Sequence, residues 1–379
     1  MRPSTSVPPG SALIESPAAG AAAFAREVIA PRAERMARGD NEHFPRDILA
    51  EAARHGLTGL LVPREYGGTD AGHLAFAEFI EAVARECASS AVILDVHVSV
   101  ATEPVVLFGS EEQKRRYLPR LSSGEWLGAF ALTEPGSGSD AAALLTTATR
   151  RGDEWILRGT KAFITNAGAA DLYVVMARTG EGGGARGISA FLVEASLPGV
   201  RPQPPLHKMG LRGSWTAELV LDDVAVPVQN MLAAEGQGFR VAMSALDSGR
   251  IGISAQATGI AQGALDAARA DPRAHSFTTT LADMDALTAA SRALYRHAAA
   301  MCDAGQPFTP QAAAAKLYAT DAAMQVAHAA VELCAPESQR EDHPAAIRLR
   351  DAKACQIYEG TNQVQRIVLA RHLLRTSGG

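Results

Sequence analysis

Trp155-Ile156-Leu157-Arg158-Gly159-Thr160-Lys161-Ala162-Phe163-Ile164-Thr165-Asn166 is the stretch on which the fold turns. Its β-branched and aromatic residues, broken by glycine, read as strand rather than helix. Trp155–Leu157 reads as a short strand, with Arg151-Gly152-Asp153 and Arg158-Gly159 as turns on either side of it. Leu172–Met176, Ile188–Val193 and Glu218–Leu221 are short segments of the same kind. The glycine cluster Gly180–Gly187 reads as a mobile loop between two of them, because no helix follows that could turn it into a phosphate cradle. Together these segments mark a β region from about Trp126 to Val228.

Outward from this region the pattern is helical on both sides. From about Ala21 to Glu125, helical periodicity places Phe76, Phe79, Ile80 and Val83 on one face. Glu65-Tyr66-Gly67-Gly68 is a turn signal. Ser110-Glu111-Glu112-Gln113 predicts a capped helix start, Ser110 as N-cap and Gln113 as its return partner. From about Gly236 the helical pattern resumes, with long candidates at Ile251–Ala268 and Ala312–Leu333. Helix, then sheet, then helix is a mainly α plan with a central β domain, and it argues against a βαβ doubly wound sheet.

Composition sets the outer limits. The 379 residues are 47% apolar, enough for two or three domains. The net charge is −5 and no Lys/Arg run appears, so nothing favours nucleic acid. Cys87, Cys302, Cys334 and Cys355 form no C-x-x-C pair, which argues against a metal site and for reduced thiols inside a cell. No run of eighteen apolar residues occurs, so no membrane-spanning helix is expected. Residues 1–20, rich in Pro, Ser, Gly and Ala, read as a flexible tail with no secretory signal.

Three segments carry possible chemistry. In Ala129-Phe130-Ala131-Leu132-Thr133-Glu134-Pro135-Gly136-Ser137-Gly138-Ser139-Asp140, a strand runs into a loop of glycines and hydroxyls. Such a loop exposes backbone N–H groups to a flat or anionic ligand, although a lone Gly-x-Gly is more often a plain turn. Phe163 and Thr165, two apart on a strand, share a face and could stack on and bond to a planar ring; alone, Phe163 is more simply a core residue. In Gln356-Ile357-Tyr358-Glu359-Gly360-Thr361-Asn362-Gln363-Val364-Gln365-Arg366, Asn362 with Gln365 makes a plausible capping box. The helix it opens would bury Val364, Ile367, Ala370 and Leu374, and Glu359 would stand in the loop just ahead of it.

In this order and at these spacings, the three segments resemble the acyl-CoA dehydrogenase family, above all its short-chain, butyryl-CoA type. The likeness runs from about Phe44 to Leu374 and includes Phe44-Pro45-Arg46, Pro63–Gly68, Phe108–Lys114, Lys208–Arg212 and Leu246–Gly252. It implies an N-terminal α-helical domain (21–125), a middle β-barrel-like domain (126–228) and a C-terminal four-helix bundle (229–379). It implies FAD held by Phe130, Leu132, Thr133, Gly138, Ser139, Phe163, Thr165 and Thr361. Ser139, Asp247, Arg250, Tyr358 and Gly360 would meet the substrate. Glu359 would remove the α-proton of an acyl thioester, on CoA or a carrier protein, as hydride leaves the β-carbon for flavin N5, giving a trans-2-enoyl thioester. Relatives that place the base on a helix do so at the position of Gly249, which cannot serve. A homodimer or homotetramer and an electron-transfer flavoprotein as acceptor also follow from the likeness, and the Ala/Arg-rich composition points to a high-GC bacterium and a cytoplasmic setting.

Two stretches depart from the family pattern. Ala270-Asp271-Pro272-Arg273-Ala274-His275-Ser276 lacks the Arg-x-x-Phe-Gly segment that reaches the flavin pyrophosphate of a neighbouring subunit, and Pro272 would end the helix there. Val331–Ser338 lacks the Gln and Gly-Gly that approach the adenine end. Three readings stay open on sequence alone. The protein dehydrogenates with altered FAD binding, uses flavin and Glu359 for non-oxidative thioester chemistry such as isomerisation or elimination, or binds without flavin.

Overall fold

The structure is a computed structural model that describes residues 17–39, 43–180 and 184–376. Of the expected tail, residues 1–16 lie outside the described residues, but Pro17–Gly20 is not tail: α1 runs Pro17–Phe24, with Phe24 fully buried. Short helices α2 (Ala33–Arg38) and α3 (Arg46–Arg54) follow. Helix α4 (Gly72–Glu86) buries Phe76, Phe79, Ile80 and Val83 completely, the face the periodicity predicts.

Helices α5 (Ala88–Asp95) and α6 (Glu103–Phe108) are joined by a π-helical segment, Val96–Thr102. The combined stretch of 21 residues is apolar enough to cross a membrane, yet 83% of its apolar window is buried inside the protein, which makes it a core helix. His97 ties it to its surroundings. Its Nδ1 accepts from the Gly128 N–H (3.0 Å) and its Nε2–H donates to the Leu121 carbonyl (3.1 Å). Helix α7 (Glu111–Ser122) starts with the predicted capping box: Gln113 N–H donates to Ser110 Oγ (3.2 Å) and Ser110 N–H to Gln113 Oε1 (2.9 Å).

The central domain has strands β1 (Gly128–Ala131), β2 (Thr147–Arg151), β3 (Glu154–Thr165), β4 (Leu172–Arg178), β5 (Ile188–Glu194), β6 (Val200–Pro202), β7 (Thr216–Pro227) and β8 (Met231–Leu232). Their order is β6-β7-β3-β2-β4-β5-β8, with β1 added parallel to β4. Arg151-Gly152-Asp153 is the turn expected, but Arg158-Gly159 is not. Both lie inside the single long strand β3, where the register against β7 slips between Leu157 and Gly159. A glycine within a strand marks a bulge as readily as a turn, and the paired strand decides which. Residues 181–183 of the glycine cluster lie outside the described residues; the part after them forms a short turn, Ala185–Gly187, leading into β5.

The C-terminal domain packs α8 (Gly238–Ala270), α9 (Thr278–Asp303), α10 (Thr309–Leu333), α11 (Pro344–Cys355) and α12 (Asn362–Thr376). Helix α8 is its axis and is buried without a break from Ser248 to Ala261. It ends at Ala270, just ahead of Pro272, as the sequence requires. The start of α12 differs from expectation. Thr361, not Asn362, is the cap, its Oγ1 accepting from the Val364 N–H (3.3 Å). Asn362 instead turns inward to Thr320 Oγ1 (2.9 Å) and Asp321 Oδ1 (2.7 Å). The burial expected of α12 also fails: Ile367 is 49% and Leu374 76% exposed, and Ala370 is exposed. Polar Asn362 and Gln365 fill the inward positions, so the apolar residues of the later turns are left outside.

Candidate active site

Glu359 lies in the short link between α11 and α12, at φ 52, a left-handed conformation that a non-glycine residue adopts only when its surroundings impose it. Gln365 Nε2 donates to the carbonyls of Gly360 (2.9 Å) and Glu359 (3.3 Å). Lys316 on α10, fully buried, donates to Gly360 O (2.9 Å) and Asn362 Oδ1 (2.9 Å). These bonds fix the link and aim the carboxylate inward.

The carboxylate meets α8 at Gly249. A Cβ on Gly249 would stand 2.1 Å from Glu359 Oε2, so only glycine leaves room for it. Oε2 is buried and has no hydrogen-bond partner. Burial pushes the Glu359 carboxyl up to about 7, against the opposing pull of the Lys316 and Arg250 charges. A carboxyl in that range can take a proton at neutral pH and is not held by another bond.

Arg250 and Asp247 form a partly buried ion pair one turn apart, and Thr309 Oγ1 donates to Asp247 Oδ2 (2.6 Å). This is not a surface pair: the Arg250 side chain is 6% and Asp247 19% exposed. Arg250 Nη2 lies 3.9 Å from where a Cβ on Gly360 would be. Tyr358 is anchored through its hydroxyl, which donates to Gln256 Oε1 (2.8 Å). Asp247, Arg250, Tyr358, Glu359 and Gly360 are thus drawn together around one stretch of α8.

A second group gathers where β1 leaves the sheet. The Ala162 N–H donates to Thr133 O (2.8 Å), and buried Lys161 donates to Leu132 O (3.1 Å) and Glu134 Oε1 (2.8 Å). Glu134 also accepts the N–H groups of Leu145 (2.6 Å) and Thr146 (2.9 Å), so it is a structural pin for the loop. Phe163 sits on a bulge of β3 at φ 57 and is 68% exposed, with Thr165 partly buried two residues on. A core role for Phe163 is thereby excluded. Phe130 packs against both the cluster around α8 and the cluster beneath the sheet. β1 also packs on the π-helical segment, whose Val100 borders Gly249. Gly138 and Ser139 are exposed at the tip of the loop and take no part in the described contacts around Glu359. Thr361 borders a cavity of about 310 Å³ shared with Asp321, Lys353, Gln356 and Arg366.

The ring end of a flavin fits this chemistry. An exposed aromatic, two threonine hydroxyls and an open loop offer a stacking face and donors for a planar heterocycle. At the opposite end, Arg273 is already engaged by Asp271 (2.8 Å), Glu337 (3.3 Å) and the Ala335 carbonyl. It is therefore no free substitute for the missing arginine.

Sequence reasoning missed Asp95, Lys316 and Gln365. A lone acid inside the apolar run Ala91–Val100 and a lone lysine in the alanine-rich Ala312–Ala319 were the available signals.

Fold and site define a class: a three-part chain of helices, sheet and helices with a buried, unpartnered carboxylate at Glu359. Comparisons carry this further. The family descriptions "Acyl-CoA dehydrogenase, N-terminal domain", "middle domain" and "C-terminal domain" match residues 15–125, 129–224 and 236–374. An acyl-CoA dehydrogenase of Bacillus subtilis is 44% identical over 362 residues, covering 93% of this chain and 95% of that protein. The butyryl-CoA dehydrogenase structure from Megasphaera elsdenii superposes at a TM-score of 0.90 with 40% identity, covering 94% of this chain and 97% of the other. A Bacillus anthracis acyl-CoA dehydrogenase complexed with FAD gives a TM-score of 0.88 at 29% identity, covering 95% of this chain and 66% of that one. The chain belongs to the acyl-CoA dehydrogenase family.

Proposed function

We propose that this protein dehydrogenates a short acyl thioester between its α and β carbons, giving the trans-2-enoyl thioester, with Glu359 as the base. The observation that carries the reading is the unpartnered, buried Glu359 Oε2 resting on Gly249. The α-proton of a thioester is weakly acidic, so the base must be strengthened and the enolate-like charge stabilised. Burial strengthens Glu359. The backbone N–H of Glu359 would donate to the thioester oxygen, and Lys316 holds the link in place through Gly360 and Asn362. Bound substrate excludes the remaining water, which raises the carboxyl further.

Leu132, Thr133, Phe163 and Thr165 would hold the ring of FAD, with Phe130 behind them and Thr361 towards the rest of the cofactor. FAD, when bound, supplies the acceptor for the hydride that leaves the β-carbon. Asp247 supports the arm of the thioester where α8 emerges from the interior. An electron-transfer flavoprotein as reoxidant, a homodimer or homotetramer and a cytoplasmic location complete the reading; the exposed apolar turns of α12 support self-association.

Anaerobic mixing with butyryl-CoA, and separately with a butyryl carrier protein, tests this. Bleaching of the flavin absorbance with formation of the enoyl thioester is the expected result, and the faster partner identifies the carrier. No bleaching with either butyryl thioester, together with conversion of a 3-enoyl- or 3-hydroxyacyl-CoA without flavin reduction, would replace dehydrogenation by isomerisation or elimination.

A further inference from the structure

Asp95, the last residue of α5, is completely buried, and the proposed reaction does not use it. Its Oδ1 accepts from Ser99 Oγ (2.9 Å), which is shared with the Asp95 carbonyl (2.8 Å). Its Oδ2 is buried with no partner. Buried carboxylate oxygens are costly unless bonded, so an open one calls for a partner.

Its place is specific. A Cβ on Gly252 would stand 2.2 Å from Asp95 Oδ1, as a Cβ on Gly249 would stand 2.1 Å from Glu359 Oε2. Residues three apart share a face of a helix, at about 5–6 Å. The two carboxylates therefore lie side by side on one stripe of α8. The protein's own cations nearby are engaged elsewhere, Lys316 with Gly360 and Asn362, Arg250 with Asp247. Tyr358 gives its hydroxyl proton to Gln256. Burial, and the neighbouring Glu359 charge, push the Asp95 carboxyl upward.

Direction along α8 follows from exposure. The Asp247 side chain is 19% exposed, whereas α8 is buried from Ser248 inward through Gly252. A thioester that enters past Asp247 and presents its α-carbon to Glu359 runs its acyl chain on towards Gly252 and Asp95. Val92, Val96 and Val100 belong to the apolar cluster on this side, and Asp95 sets a buried carboxylate beside it.

We propose that Asp95 selects the acyl group: its free oxygen binds a hydrogen-bond donor, a hydroxyl or an ammonium, carried beyond the carbon that faces Glu359. This rests on the dehydrogenase reading and narrows its substrate to acyl thioesters with a polar tail.

The test compares 4-hydroxybutyryl-CoA with valeryl-CoA, which has the same shape with a methyl in place of the hydroxyl. Both kcat/KM with a dye acceptor and Kd are measured on the FAD-loaded wild type, Asp95→Ala and Asp95→Asn, with thermal unfolding as the check on folding. The wild type is expected to favour the hydroxy substrate about 10- to 100-fold in both constants. Asp95→Ala is expected to reverse the preference and Asp95→Asn, which keeps an acceptor oxygen, to retain part of it. A wild type that favours valeryl-CoA, or a ratio unmoved by Asp95→Ala, overturns the proposal. So does a shift of the pH profile common to both substrates with the ratio unchanged, since Asp95 would then act only on Glu359. Failure of wild-type bleaching with butyryl-CoA would sink the dehydrogenase reading instead, and the Kd ratio would still judge Asp95.

Discussion

At the scale of single residues, Glu359 behaves as its surroundings dictate. Its carboxyl, raised to about 7 by burial, must be ionised to accept a proton. kcat/KM is therefore expected to fall as pH drops through about 7 and to level off above it. Lys316 pulls in the opposite direction from burial. Lys316→Met removes that charge, so the limb of the pH–rate profile should move up by about one pH unit. A profile unmoved in this variant would show that the lysine charge does not act on the base. The motif around Glu359 made this residue legible in the sequence. Its burial was not, because it depends on Gly249, more than a hundred positions earlier, and on a lysine in an alanine-rich helix. Asp95 was still harder to see, a single acid in an apolar run whose meaning appears only once α8 presents Gly252 to it.

At the scale of elements, the π-helical segment Val96–Thr102 packs on both β1 and α8 and so borders both groups of the site. It is pinned by His97, which serves β1 through Gly128 and α7 through Leu121. Both ring nitrogens are used in the neutral form, and burial pushes the imidazole down to about 4 from its usual 6.5. Above pH 6.5 both folded and unfolded chains carry a neutral ring. Below it the unfolded chain binds a proton that the folded one refuses until about pH 4, so stability falls across that window. His97→Leu removes the acceptor of the Gly128 N–H and one of the donors to the Leu121 carbonyl, which keeps the Gly124 N–H, and should cost about 1–3 kcal/mol, read from thermal or denaturant unfolding. It should also flatten the pH dependence of stability between 4 and 6.5. A variant as stable as the wild type at pH 7 would refute the pin. Element types were readable from periodicity, as α4 and β4 demonstrate. Boundaries set by long-range pairing were not. Gly159 became a bulge because β7 runs the whole length of β3, and α12 exposes Ile367 and Leu374 because Asn362 and Gln365 take the inward positions.

At the scale of the molecule, helices, sheet and helices meet around the π-helical segment, which packs on both β1 and α8 and whose Val100 borders Gly249 beside the Glu359 carboxylate. The domain plan follows from the sequence because the switch from helical to strand periodicity at each end of the β region is a local signal. The convergence of the parts is not local, and no periodicity encodes it. The most direct test is stopped-flow, anaerobic mixing of the FAD-loaded Glu359→Gln variant with butyryl-CoA. The flavin should stay bound, and bleaching should slow by about 10²–10⁴-fold relative to wild type. Bleaching at the wild-type rate would contradict the assignment of Glu359 as the base.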